Sequence, residues 1–179
     1  YKRQLHNLLA AGYSGNVFAT NRSGEEVLGI QTISDVAEIP AGAADLMFVC
    51  TPASANLQLL EDAAQRGVKA AFLTSAGYGE AGEEGRVAEA ELVATADRLG
   101  ILLAGPNGQG VVSTPASLCA QIVAPYPPTG GIGVASQSGN FVSSFLNLSR
   151  STGVGVSRAV SAGNAAAVSV ADYLDFYSR

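Results

Sequence analysis

Tryptophan is absent, and the 179 residues include one histidine, one methionine and two cysteines. So sparse a set argues against a His/Cys metal centre and against a disulfide framework. Cys50 and Cys119 lie in apolar surroundings without CxxC spacing, the pattern of reduced core thiols in a cytoplasmic protein. Charge is also scarce, at 14% of residues, and 10 Lys and Arg stand against 15 Asp and Glu for a formal net charge of −5. The clustered positive charge needed to hold nucleic acid or an anionic membrane surface is therefore missing. No run approaches the ~20 apolar residues that cross a bilayer. The amino end, Tyr1-Lys2-Arg3-Gln4-Leu5-His6, passes straight into a helical pattern with no signal-peptide character. The chain also lacks an initiating Met, so the reading is of part of a longer polypeptide.

What the chain does have is 47% hydrophobic residues and 21 glycines, arranged in alternation. Short apolar runs at Asn16–Asn21, Leu46–Thr51, Ala70–Ser75 and Ile101–Ala104 read as buried strands. Between and before them, Lys2–Ala11, Ala53–Arg66 and Glu83–Leu99 repeat apolar residues at helical spacing, and each stops at a glycine (Gly12, Gly67, Gly100). This alternation predicts an α/β fold with a mainly parallel sheet and helices on both faces. The Pro/Gly-rich stretch Ala124–Gly131 reads as a linker. After it come a strand at Ile132–Ala135, a helix at Gly139–Arg150, a strand at Val154–Val160 and a helix at Ala167–Tyr177. The predicted division is residues 1–127 and 128–179, the second unit being two βα pairs, too few to close a domain.

Sheets of this kind bind ligands at the carboxyl ends of their strands. Two such ends stand out: Gly105-Pro106-Asn107-Gly108-Gln109-Gly110, and Ser136-Gln137-Ser138-Gly139-Asn140, which opens directly into a helix. Small residues at a strand-to-helix turn present free backbone N–H groups and the positive end of a helix dipole, a seat for phosphate. The same Ser and Asn residues also serve as plain helix caps. An NAD-dependent oxidoreductase is disfavoured because the reading finds no GxGxxG at a strand–helix junction and no acidic residue ending the Asn16–Asn21 run to hold a ribose, and Arg22 follows instead. His6, the only histidine, sits beside Leu5 and Leu8 and reads as a helix-surface or packing residue. The acidic stretch Glu80–Glu91 reads as a solvated helix face, with Gly79, Gly82 and Gly85 loosening the loop ahead of it.

The ordered motifs Thr51-Pro52, Thr74-Ser75-Ala76-Gly77, Gly105-Pro106-Asn107, Ser136-Gln137-Ser138-Gly139 and Ser161-Ala162-Gly163-Asn164 resemble the NDP-forming acyl-CoA synthetases, relatives of the succinyl-CoA synthetase α-subunit. The resemblance covers essentially the whole chain. It implies a Rossmann-like CoA-binding domain followed by the start of a flavodoxin-like domain, with a first strand and Gly-rich turn that would precede Tyr1. It further implies that acyl-CoA, ADP and phosphate are interconverted with acid, CoA and ATP through an acyl phosphate and a phosphohistidine. The histidine loop would lie past Arg179, and ATP/ADP and Mg2+ would belong to an ATP-grasp domain or subunit. CoA and a small carboxylic acid are the implied small-molecule partners, and an oligomer is expected. The chain by itself would be inactive.

Residue by residue, the resemblance places Asn21 and Arg22 near the CoA phosphates and Thr51 and Pro52 beside its nucleotide part. It places Thr74, Ser75 and Ala76 along the pantetheine arm and Pro106 and Asn107 near the thiol. Ser136, Ser138, Gly139 and Asn140 would hold the transferring phosphate. Where many relatives carry Cys after the Gly-Pro-Asn segment, this chain has Gly108. That departure leaves room for a non-catalytic CoA-binding regulatory module as the alternative reading.

Overall fold

The computed structural model describes residues 2–122 and 126–179. After helix α1 (Lys2–Ala10) the chain runs irregularly to β1 (Leu46–Val49), then through α2 (Asn56–Gln65), β2 (Ala70–Leu73), α3 (Glu83–Leu99) and β3 (Leu102–Ala104). These three strands form a parallel sheet in sequence order, with Leu46 opposite Ala70 and Ala70 opposite Leu102. Residues of β2 are buried almost throughout, as expected of a central parallel strand read from a continuous apolar run. One face of the sheet, through Val49, Leu73 and Leu103, packs on Leu60 of α2 and on Leu92 and Ala96 of α3. Both crossovers thus place their helices on the same side. The opposite face carries a stacked Phe48–Phe72 pair and leaves Leu46 and Leu102 exposed. For this sheet the expectation of helices on both faces holds on one face only among the described residues.

The second sheet was half foreseen. β6 (Thr129–Ser136) and β7 (Val156–Ser161) run parallel, joined by α4 (Gly139–Thr152), and α5 (Val170–Tyr177) follows. The hairpin β4 (Gly110–Ser113) and β5 (Leu118–Gln121) completes a mixed sheet in the order β5-β4-β7-β6, with β4 antiparallel to both neighbours. Neither strand of this hairpin is among the elements expected from the sequence. Val142 and Leu146 of α4 fill the core of this sheet against Val112, Cys119, Val134 and Val156.

Two further expectations are corrected. Asn16–Asn21 is not a strand: its pairing is one isolated bridge, Thr20 with Ile33, framed by Ile33 N–H to Ala19 O and Asn21 N–H to Ile33 O, both at 2.9 Å. Phe18 and Ile33 still bury their side chains against Val36, Ile39, Ala63 and Val68, so the apolar run marks packing rather than a ladder. Of the stretch read as a linker, Ala124 and Pro125 lie outside the described residues, and Thr129–Gly131 belong to β6. Gly130 is needed there because a Cβ would come within 2.4 Å of the Gly155 backbone.

Candidate functional site

Three turns meet at the carboxyl ends of β3, β6 and β7. The first follows β3, where a cis Gly105–Pro106 bond is succeeded by Asn107 at φ 59°, a left-handed conformation that Asn tolerates better than most residues. It is fastened to the end of β2 by Asn107 N–H to Ser75 O (2.9 Å) and Gly108 N–H to Leu73 O (3.2 Å). The turn after β7 locks onto it, with Asn164 N–H donating to Pro106 O at 2.9 Å. Gly163 permits that approach: at φ +61°, a Cβ there would lie 2.2 Å from Pro106 O.

The third turn starts α4. The Ser138 hydroxyl accepts Phe141 N–H at 3.3 Å and caps the helix, while Ser136 Oγ accepts Ser138 N–H at 3.1 Å. Capping and ligand binding are compatible here, because each hydroxyl acts as acceptor in these bonds and retains its own proton to donate. The first-turn amides at Gly139 and Asn140 have no carbonyl partner within the helix.

Between these turns lies a cleft of about 340 Å³, lined by Thr74, by Asn107–Gln109, by Ile122, by Gln137–Asn140, and by Gly163 and Asn164. Of the residues singled out from the sequence, Thr74, Asn107, Ser138, Gly139 and Asn140 line it, and Ser136 touches it through Ser138. Pro106 is fully buried beneath the turn. Thr51 and Ser75 sit apart in a closed network around Asn56, which is 1% exposed. Thr51 Oγ donates to Asn56 Oδ1 (2.8 Å), Asn56 Nδ2 donates to Ser75 Oγ (3.1 Å) and Tyr78 Oη (2.8 Å), and Ser75 Oγ donates to Thr51 O (2.6 Å). Burial pushes the Tyr78 hydroxyl up, with Glu80 and Glu89 adding to it against the Asn56 hydrogen bond. Pro52, Ala76 and Arg22 are exposed, and neither they nor Asn21 line the cleft. His6 is exposed on α1, away from the cleft, with Nδ1 3.4 Å from Asn7 Oδ1.

The sequence reading quoted Gln109 without giving it a role. Its backbone N–H donates to Ser161 Oγ (3.1 Å) and its Oε1 accepts Ser143 Oγ (3.3 Å). Its carboxamide lies across the first residue of α4, where a Cβ on Gly139 would be 2.0 Å from Gln109 Cδ. With Oε1 engaged, Nε2 is the end left to donate. A polar residue between two glycines in a turn was the available signal.

The expectation that no GxGxxG stands at a strand–helix junction is corrected: Gly77-Tyr78-Gly79-Glu80-Ala81-Gly82, between β2 and α3, has the spacing of a dinucleotide-binding turn. Its amides are taken internally. Glu80 Oε1 accepts from Gly77 N–H (2.5 Å) and Tyr78 N–H (3.3 Å), and Glu89 Oε2 accepts from Gly79 N–H (3.2 Å). Burial alone would raise the Glu80 carboxyl, but hydrogen bonds from Asn164 and from backbone N–H groups outweigh it and hold the carboxyl below its ordinary range. A pyrophosphate would have to displace two carboxylates, so the dinucleotide reading is not supported at this loop.

Among the described residues, no Lys or Arg lines the cleft. Anion binding there would rest on neutral donors and the α4 amino terminus, an arrangement sufficient for phosphate. Among the described residues, no group of three or more His, Cys, Asp or Glu could hold a metal ion, and no helix is long and apolar enough to cross a membrane.

Comparison with known proteins agrees with this layout. Residues 2–114 match the CoA binding domain family and residues 129–179 the succinyl-CoA ligase-like flavodoxin domain. The chain is 36% identical, over 93% of its length, to ADP-forming acetate–CoA ligase I of Archaeoglobus fulgidus, covering 24% of that protein. It is 36% identical over 97% of its length to the alpha subunit of ADP-forming acetate–CoA ligase I of Pyrococcus furiosus, covering 38% of it. It superposes at a TM-score of 0.92, with 30% identity, on the dinucleotide-forming acetyl-coenzyme A synthetase 1 of Ca. Korarchaeum cryptofilum solved with phosphate and ADP, covering 99% of this chain and 38% of that one. The chain therefore spans well under half of these relatives.

Proposed function

Because the chain belongs to the CoA binding domain family, we propose that it forms the CoA-binding part of an NDP-forming acyl-CoA synthetase, an acid–thiol ligase. The observation that carries this reading is the meeting of the Asn107 turn and the α4 amino terminus at one cleft, so that a thioester end and a phosphate would lie side by side. The reaction interconverts acyl-CoA, ADP and phosphate with acid, CoA and ATP. Its intermediates are an acyl phosphate and a phosphohistidine, the latter carried on a segment outside this chain.

In this scheme Ser136, Ser138, Gly139 and Asn140 hold the transferring phosphate by hydroxyl protons and helix amides. A preorganised set of such donors aimed at developing charge is a large source of rate acceleration. Asn107, set over the buried Pro106, borders the CoA thiol, and Thr74 and Ala76 follow the pantetheine arm, with Ser75 tied behind them to Asn56. Thr51 and Pro52 border the nucleotide part, with Asn21 and Arg22 near its phosphates. An ATP-grasp domain or subunit, using Mg2+ with its nucleotide, completes the enzyme in an oligomer. The small carboxylic acid would bind across both parts. The two unpaired cysteines suit a reducing, cytoplasmic setting. The non-catalytic regulatory module is the weaker reading, since the relatives above bear ligase and synthetase names.

Calorimetric titration tests the first step. CoA should bind the full-length protein that carries this chain, and NAD should not. Binding of NAD, or of neither ligand by the folded full-length protein, would overturn the reading of this chain as the CoA-binding part. ATP-dependent thioester formation by these 179 residues alone would refute the division of labour.

A further inference from the structure

We infer that Glu80 and Glu89, acting through Asn164, set the orientation of the Asn107 side chain at the cleft. This rests on the reading of Asn107 as a residue that touches CoA. Asn164 Nδ2 lies 2.6 Å from Glu80 Oε2 and 2.6 Å from Glu89 Oε2, while its Oδ1 accepts Asn107 Nδ2 at 3.3 Å. Ionised carboxylates only accept hydrogen bonds. Both must therefore meet the N–H end of the Asn164 amide, and a flip would press its oxygen against two negative charges. The direction of the Asn164 amide is thus dictated from behind the cleft, and with it the direction of Asn107.

The carboxylates are themselves anchored to backbone. Gly77, Tyr78 and Gly79 N–H groups hold them, and neither takes part in an ion pair among the described residues. The glycine turn that resembles a nucleotide loop thus grips internal anions and uses them to align an amide. The chain of contacts runs from the β2–α3 loop and α3 through the turn after β7 to the turn after β3.

The consequence is a cleft sorted by polarity. Asn107 Nδ2 is directed at Asn164, which leaves Oδ1 as the atom offered to a ligand, an acceptor suited to a thiol S–H or an amide N–H of the pantetheine arm. Elsewhere on the lining the available groups are donors: Gln109 Nε2, the Ser138 hydroxyl and the α4 amides. A ligand that carries both a hydrogen-bond donor and an oxyanion matches this set.

Glu80→Gln is the discriminating substitution. Both Glu80 oxygens act as acceptors, so a Gln can satisfy either the loop amides or Asn164 but not both. Glu91→Gln, an exposed position on the same helix, is the control. In 1H–15N spectra of the full chain, the Asn107 side-chain amide pair is identified by its loss in Asn107→Asp. Glu80→Gln and the double variant Glu80→Ala/Glu89→Ala should displace that pair, and Glu91→Gln should leave it in place, with backbone spectra reporting retained folding throughout.

CoA titration of the same proteins should show about three- to tenfold weaker binding for Glu80→Gln, the scale of one hydrogen bond. An Asn107 pair unmoved in both Glu80 variants would overturn the relay, whether or not CoA binds. A displaced pair with unchanged CoA affinity would overturn its positioning role. Wild-type protein that binds no CoA at all would instead defeat the functional reading, while the spectra still decide the relay.

Discussion

Gly108→Ala adds a single methyl group where the fold leaves no room for one. A Cβ at this position would lie 2.7 Å from Phe72 Cζ and 2.7 Å from Ser161 O, against the roughly 3.5–4.0 Å of a comfortable contact. Neither neighbour yields cheaply. Phe72 is 3% exposed and stacks on Phe48 with ring centroids 5.0 Å apart and planes 3° from parallel. Ser161 O belongs to β7, a central strand of the second sheet. Overpacking of this kind costs about 1–3 kcal/mol. At about 2–4 °C per kcal/mol for a chain of this size, the melting temperature should fall by about 2–12 °C. Lifting the turn also shifts Asn107 and Gln109, so CoA should bind more weakly than the stability loss alone would suggest. Scanning calorimetry and CoA titration measure the two effects. A double-mutant cycle with Phe72→Leu should return part of the lost stability, because the smaller side chain vacates the contested volume. A melting temperature within about 1 °C of wild type, below ~0.5 kcal/mol, would refute the packing argument.

Asn56→Ala leaves Thr51 Oγ and Tyr78 Oη short of a buried partner and should cost about 1–3 kcal/mol in urea denaturation; an unchanged midpoint would show that water replaces the lost amide. The two thiols should separate in reactivity. Cys50 is half-buried, whereas Cys119 is 0% exposed with its thiol pushed up to about 11 by burial, so a thiol reagent should modify one equivalent natively and a second only on unfolding. Glu80 is held below its ordinary range, so its stabilising contribution is complete above the unfolded-state value and disappears as pH falls through the lower folded-state value. Glu80→Gln should accordingly flatten the acid limb of the stability–pH curve, and a limb of unchanged slope would place the acid sensitivity elsewhere.

Local signals were enough for much of the first sheet. Glu83–Leu99 was read from the sequence with the bounds it has in the structure, since helical spacing begins after Gly82 and ends at Gly100 in the left-handed region. The hairpin was not legible, because its pairing is decided far along the chain. Gly110–Ser113 is short and followed by a Thr-Pro-Ala turn, and its partner β7 begins at Val156. Asn16–Asn21 failed in the opposite sense: it has the composition of a strand but meets only Ile33 across a ladder. Asn56 and Glu89 looked like ordinary helix residues, and only tertiary contact gives them a role.

The order of the turn motifs along the chain was visible, yet order says nothing of distance. The distance was encoded in glycines whose need does not come from backbone dihedrals alone. A Cβ at Gly108, Gly139 or Gly163 would come within 2.7, 2.0 or 2.2 Å of Phe72, Gln109 or Pro106 respectively, and of these three glycines only Gly163 has a positive φ. Gly108 is therefore glycine because Phe72 of β2 and the end of β7 pass against it, and Gly139 because the Gln109 side chain does. A glycine at a turn or helix start that no dihedral demands is the sequence trace of two segments in contact. By that criterion Gly139 ties the start of α4 to the Gly-Pro-Asn turn, and the close approach of Gly163 to Pro106 O adds the turn after β7 to the same site.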